Sequence, residues 1–198
     1  MGSFLSISRK NVPAGPAAAG ARGRRDGIGR STSGAAERVS DDLRRGSGSV
    51  LRARRRQMAW MLAASGAMGV VTAYQSGLLR RLPDPPLPGV DSNRVDASGE
   101  AYVHLRTPDA ALALTSYGAS MVLIGMGAGD RAQRQPLIPL LATAKLAYDA
   151  LGAAYLTVEQ ISKHRALCVW CLAAAAASTA AVPAALPEAR AAWKAIRA

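Results

Sequence analysis

The sequence is short of the groups from which most active sites are made. Among 198 residues there are two cysteines and two histidines. Two thiols with His164 as the nearby imidazole are an incomplete zinc set, so no metal is expected. No glycine-rich phosphate loop, no Ser-His-Asp arrangement and no paired carboxylates stand out. Aromatic residues make up 5% of the chain. Residues 1–57 hold almost none, which argues against nucleic-acid binding in spite of that segment's arginines. Charge itself is missing from three long stretches: residues 58–79, 110–129 and 166–187 contain no Asp, Glu, Lys or Arg.

Each of these stretches is long enough to cross a hydrocarbon core, which takes about 20 apolar residues. A fourth, 136–156, is interrupted by Lys145 and Asp149 alone. The pattern predicts an all-α fold, a four-helix transmembrane bundle over 58–187. A disordered basic extension, 1–57, precedes it and a short basic tail, 188–198, follows. The extension is rich in Gly, Ala, Ser and Arg, and such a composition buries too little apolar surface to offset the entropy of ordering. It holds 13 basic against 4 acidic residues and so carries most of the net charge of +12. Its end, "RARRR" at 52–56, abuts the first apolar block, and a basic cluster there keeps the N-terminus cytoplasmic. Arg131, Arg134, Arg190, Lys194 and Arg197 agree with that orientation, whereas Arg80, Arg81, Lys163 and Arg165 oppose it. Four crossings return the C-terminus to the cytoplasm. Membrane lipid is therefore an expected partner and nucleic acid is not. The first apolar block starts at Met58 with no clear small-residue cleavage site after it, which does not fit a secretory signal peptide.

The loop from Arg80 to about Thr107 falls outside in this topology. "LPDPPLPG" at 82–89 has four prolines and should run extended. A connection of about 28 residues is long, and such loops are often lids. The two cysteines lie in "HRALCVWCL", C-x-x-C at the head of the last apolar block. Residues i and i+3 of a helix share a face, with Cβ atoms about 5–6 Å apart, so Cys168 and Cys171 can be dithiol or disulfide without refolding. The helix N-terminus, with Lys163, His164 and Arg165 upstream, favours a Cys168 thiolate, with Cys171 as the deeper partner. On these residues alone, two small packing residues in an apolar helix are an equal reading.

Three segments together resemble the vitamin K epoxide reductase family, over about Trp60 to Leu186. "ALCVWCL" at 166–172 is similar to the family's redox motif, "TPDAALALTSYG" at 107–118 to its second-helix motif, and "AYLTVEQI" at 154–161 to the end of its third helix. The resemblance implies a four-helix membrane bundle with C-x-x-C at the outer start of the last helix, facing a quinone between the helices. The implied function is a membrane thiol:quinone oxidoreductase that supports disulfide formation in a bacterial plasma membrane. Cys171 would reduce the quinone, ubiquinone or menaquinone. Cys168 would exchange disulfides with an extracytoplasmic thioredoxin-like dithiol protein. Asp109 stands where the family tends to have an Asn that hydrogen-bonds a quinone carbonyl, and an ionised carboxylate cannot donate that bond. The family's Tyr after C-x-x-C would fall near Ala175. Many members carry a second cysteine pair in the loop, and residues 80–107 have none. Ser98 is the kind of residue that could stand at one of those places, and the chain reads as a two-cysteine member.

Tyr117 and Trp170 join Asp109 as candidate quinone contacts. Lys145 and Asp149, four apart in the third block, can pair, and serve either as a proton path or as a self-satisfied pair. Tyr74, Tyr148, Tyr155 and Trp60 read as interface anchors and His104 as a surface residue. The small residues Ser65, Gly66 and Gly69, with Gly118, Gly125 and Gly129, fit close helix packing. The rival readings are a non-catalytic membrane scaffold that keeps the family shape, and a redox sensor acting through the basic tail.

Overall fold

The computed structural model describes residues 33–198. The part of the basic extension before Ser33 lies outside them. From Ser33 on, the expected disorder gives way to helix. Helix α1 spans Gly34–Arg45, with the Ser33 hydroxyl capping Ala36 N–H at 3.3 Å, Glu37 in the first turn and Arg44 and Arg45 in the last. These charges match the helix dipole at both ends. Helix α2 starts at Ser49 and runs to Gln75, so it takes in the whole "RARRR" cluster. The composition argument fails here because the arginines find carbonyl partners. Arg55 donates to Leu43 O at 3.0 Å and Gly46 O at 2.7 Å and ties α1 to the start of α2.

After α2, an irregular strap leads to the single turn α3 (Ser92–Asp96) and two short 3-10 turns, Gly99–Tyr102 and His104–Arg106. Helix α4 covers Asp109–Gly125, α5 is the turn Arg131–Arg134, α6 covers Leu137–Glu159, and α7 covers Val169–Arg197. A π turn, Gln160–His164, extends α6, and Arg165 in the left-handed region (φ 49°) ends it. The chain is all-helical among the described residues, apart from one isolated bridge noted below. The four long helices pack in a ring: α2 on α4 and α7, and α6 on the same two.

The segment 137–164 and α7 are long and apolar enough to cross a membrane. Only 22% and 28% of their apolar windows are buried, whereas the core helix of a soluble protein would be mostly covered. Leu141, Leu151, Val158 and Ile161 point outward from the first, and Trp193 and Ile196 from the second.

The inner face of α7 is alanine. Ala174, Ala177, Ala181, Ala185, Ala189 and Ala192 are buried at helical spacing, and the first four share one core cluster with Met61, Met68, Val71, Ile124 and Leu146. Of the glycines the sequence suggested for close packing, Gly129 is tight, with an added Cβ 3.2 Å from Asp42, and Gly125 meets Met58 at 3.9 Å, whereas at Gly66, Gly69 and Gly118 a Cβ would meet nothing within 4 Å.

At the end of the bundle away from the cysteines, three charged side chains are buried together. Arg131 makes a two-pronged ion pair with Glu188 of α7, Nε to Oε1 at 2.8 Å and Nη2 to Oε2 at 2.7 Å, with both side chains at most 2% exposed. Its Nη1 reaches Leu123 O, Ile124 O and Met126 O. Arg54 of α2 donates to Ile124 O, Met126 O, Gly127 O and Ala128 O from the other side. Two guanidiniums therefore satisfy the carbonyls left open at the end of α4.

Removing one partner of a buried pair strands the other charge, at about 3–5 kcal/mol. Glu188→Ala is expected to lower thermal stability in detergent by that order. Arg131→Met combined with Glu188→Leu is expected to lose less than the sum of the single changes, as measured in a double-mutant cycle.

Candidate functional site

The π turn and the left-handed Arg165 reverse the chain, so that residues 166–168 enter α7 from beneath the strap. Gly89–Asp91 lies parallel to this segment: Leu167 N–H donates to Gly89 O at 2.8 Å and Asp91 N–H to Leu167 O at 3.0 Å. Ser92, fully buried, accepts Val169 N–H at 3.1 Å and donates its hydroxyl to Asp84 at 2.5 Å. The strap thus covers the head of α7.

Cys168 is the N-cap of α7. Its sulfur accepts Cys171 N–H at 3.1 Å, and its own N–H is held by Gln160 Oε1 at 2.9 Å. It has no exposed surface. Both cysteines are free thiols. Cys171, one turn on, is half-buried and directs its Sγ to Asp96 Oδ1 at 3.5 Å. The donor atoms of Asp96, Cys168 and Cys171 lie within 4.8 Å of one another. The third member of the cluster is a carboxylate from the loop, and the expected neighbour His164 is not in it. Burial pushes the Asp96 carboxyl up to about 6, hydrogen bonds from Cys168 and Cys171 pull it down, and Asp109 and Asp84 add to the rise.

Cys171 stands where two cavities meet. One, of about 380 Å³, is lined mainly by apolar side chains of α2, α4, α6 and α7, among them Met68, Leu112, Leu156 and Ala174, with Asp109, Ser116, Tyr117 and Asp149 as polar members. The other, also about 380 Å³, is a polar vestibule walled by Asp96, Glu100, Glu159, Lys163 and His164. Gln160, His104 and Tyr155 belong to both walls, as does Cys171.

Gln75, at the end of α2, fixes the opposite wall. Its amide donates to Asp109 Oδ1 at 2.7 Å and its carbonyl accepts Ala110 N–H at 3.3 Å, so one side chain caps the start of α4 and orients Asp109. Deeper, Lys145 and Asp149 pair at 2.5 Å as their spacing suggests. The pair is not self-contained. Ser116 of α4 donates to Asp149 at 2.7 Å, Ser120 donates to the other carboxylate oxygen, and Lys145 donates to both hydroxyls.

The fold therefore brings Cys171, Asp109, Tyr117 and Asp149 around one cavity. Trp170 is not among its lining residues: the indole N–H is bound to Pro83 O at 3.2 Å, on the strap side of α7. Lys145 is outside the lining too and meets it through Asp149, Ser116 and the ring of Tyr148. Ser98 lines the vestibule, and its hydroxyl is without a partner. The loop serine in contact with the head of α7 is instead Ser92. Sequence reasoning missed Gln75, Asp96, Gln160, Ser116 and Ser120. A glutamine inside an apolar block was the available signal for the first.

A family model described as the vitamin K epoxide reductase family matches residues 57–186. The chain belongs to the vitamin K epoxide reductase family. Neither the comparison with curated proteins nor that with solved structures found a match. Members of the vitamin K epoxide reductase family are membrane oxidoreductases that couple thiols to quinones, and the C-x-x-C of this member lies inside the matched region, at a helix head beside a cavity.

A raised carboxyl destabilises the fold wherever it must ionise. The stabilising contribution of protonated Asp96 is present below its unfolded value, near 4, and is lost as pH rises through about 6. Asp96→Asn, which cannot ionise, is expected to leave thermal stability near pH 4 unchanged. At pH 8 it should raise stability by about 2–3 kcal/mol, read from melting curves of the purified protein at the two pH values.

Proposed function

We propose that the chain carries two electrons from an external dithiol, through Cys168 and Cys171, to a quinone bound in the apolar cavity beneath Cys171. The observation that carries this reading is the position of Cys171, the second thiol of a helix-capping C-x-x-C, in the wall of that cavity. The cavity has the character a quinone ring needs. Small-molecule sites are mostly apolar concavities of about 300–1,000 Å³ with a few placed polar groups, and here the polar groups are Asp109, Ser116, Tyr117 and Asp149. The Tyr117 hydroxyl can donate to a carbonyl, and Asp109 can do so when protonated. When bound, a quinone supplies the acceptor for two electrons and two protons.

The chain's own residues do the rest. Cys168, capping α7, is held with its sulfur accepting the Cys171 N–H. The i,i+3 spacing lets its sulfur bond Cys171 within the same turn. Gln75 holds Asp109 against the first turn of α4, and Ser116 and Ser120 hold Asp149 between α4 and α6. Lys145 balances the charge of Asp149 in surroundings where a lone carboxylate would be costly.

With no second cysteine pair in residues 80–107, an external dithiol must deliver the electrons directly, and a thioredoxin-like protein outside the cytoplasm is the partner of matching chemistry. Attack on Cys168, as expected from the sequence, requires the strap Gly89–Ser92 to lift, because Cys168 is fully covered. The vestibule offers an incoming thiol a route to Cys171 with the strap in place. In this reading α2 and α4 cross the membrane beside α6 and α7, turning Trp60, Leu62 and Val122 to lipid. The arginine end is cytoplasmic and the cysteine end faces outward in a bacterial plasma membrane.

Stopped-flow reduction of soluble ubiquinone and menaquinone analogues by a dithiol tests the proposal. The parent protein should turn over, whereas Cys168→Ala and Cys171→Ala should each lose at least about 10³-fold, as expected when members of one catalytic unit are removed. Absence of turnover in the parent with both quinone classes would return the chain to the scaffold reading. Unchanged turnover in Cys171→Ala would place the redox centre elsewhere.

A further inference from the structure

Asp96 is a buried carboxylate without a cation. It ends α3, is 3% exposed, and among the described residues no lysine, arginine or histidine pairs with it. One oxygen, Oδ1, receives Cys171 Sγ–H at 3.5 Å, and the other, Oδ2, has no hydrogen-bond partner. A carboxylate buried in this way is costly, since its lone pairs are stripped of water and only partly repaid. The charged groups around it do not compensate. Cys168 and Cys171 face it from α7, Asp109 from the head of α4 and Asp84 from the strap. The vestibule wall that it shares also carries Glu100, His104, Glu159, Lys163 and His164, and Lys163 is taken up by Glu159.

A carboxylate touching a thiol, with a free oxygen and a place in the wall of a polar cavity, is arranged to exchange a proton. A thiol must lose its proton before its sulfur can release an electron pair, and the apolar cavity on the other side of Cys171 is a poor place to leave one. We propose that Asp96 is the proton acceptor for Cys171, taking the thiol proton on Oδ1 as the Cys168–Cys171 bond forms and passing it on through the vestibule.

The role rests on the thiol:quinone reading for its electron acceptor. In the step, the S–H bonds of Cys171 and Cys168 break, an O–H bond forms on Asp96, the Cys168 proton goes to water, and a sulfur–sulfur bond forms between the two cysteines. Two electrons leave to the quinone. The reduced acceptor takes up two protons from water while the two thiol protons leave to water, one of them through Asp96 and the vestibule, so dithiol and quinone give disulfide and hydroquinone.

The test follows oxidation of the reduced full-length protein by diamide, a small thiol oxidant that needs no quinone, across pH 4.5–8.5, with disulfide read by mass spectrometry. Asp96 acts as a base only when ionised, so the parent rate should climb with pH through an inflection near 6. In Asp96→Asn, which keeps the shape and an acceptor for the thiol, that inflection should vanish and the rate at pH 7 should fall about 100-fold. Asp96→Glu should restore the inflection in part. Infrared spectra of the reduced protein should show a carboxylic-acid band that grows as pH falls through the same inflection and is missing in Asp96→Asn. Equal rates and equal pH profiles in parent and Asp96→Asn would overturn the proposal. A surviving diamide profile without quinone turnover would uphold Asp96 while removing the quinone reading.

Discussion

The buried contact between Arg131 and Glu188, with Arg54 beside it, is the constraint on which the rest of the bundle depends. In apolar surroundings the burial of aliphatic side chains does little to choose one helix neighbour over another, because lipid is as good a solvent for them as protein. Alanine on α7 permits close approach but offers no shape that would stop one helix sliding along the next. A bidentate ion pair has one geometry. It fixes α7 against the turn that follows α4, and the two guanidiniums hold the last carbonyls of α4 itself. Once the end of α4 is fixed, so is the height of Tyr117, Ser116 and Asp109 along it, and with them the polar rim of the cavity.

The opposite end uses the same device with weaker groups. Gln75 caps α4 and orients Asp109, Gln160 holds the backbone of Cys168, and Ser92 ties the strap to Val169. All three are neutral side chains, and Gln75 and Ser92 bridge elements that lie far apart in the sequence. Their bonds are individually worth about 1 kcal/mol, so this end is the more easily opened of the two. That asymmetry suits a site that must admit partners at one end while the other end holds the bundle together.

The helices were legible because their signal is collective. Some 20 uncharged residues in a row cannot be mistaken for a loop, and C-x-x-C at the head of such a block is a local pattern with a local geometry. The Lys145–Asp149 pair was legible for the same reason, since both partners lie on one helix one turn apart. What could not be read were pairings across the fold. Asp96 is one acid in a loop that also carries Asp91 and Glu100, and nothing in its neighbours says that it meets Cys171. Arg54 sits in a run of arginines that reads as solvated, yet it alone turns inward and finds four carbonyls. Trp170 illustrates the limit of spacing: lying between two cysteines places it on α7 but leaves open which side it faces, and it faces the strap. Helix α2 begins at Ser49, ahead of the apolar block, because charge marks where the apolar stretch ends and not where the helix does.

The position of Cys171 between two cavities also constrains how a dithiol and a quinone could be served by one centre. The apolar cavity and the polar vestibule share Cys171, Gln160, His104, Tyr155 and Leu156 as walls. A sulfur bonded to an incoming thiol cannot at the same moment pass electrons inward, and as a disulfide it has none to pass. In a chain without loop cysteines there is no second pair to store the next two electrons. The two half-reactions of the proposed cycle must therefore alternate at one sulfur pair, with the donor gone before the acceptor is reduced. Separate cavities on the two sides of Cys171 allow this without either molecule displacing the other, and the carboxylate on the vestibule side places proton exit away from the apolar cavity.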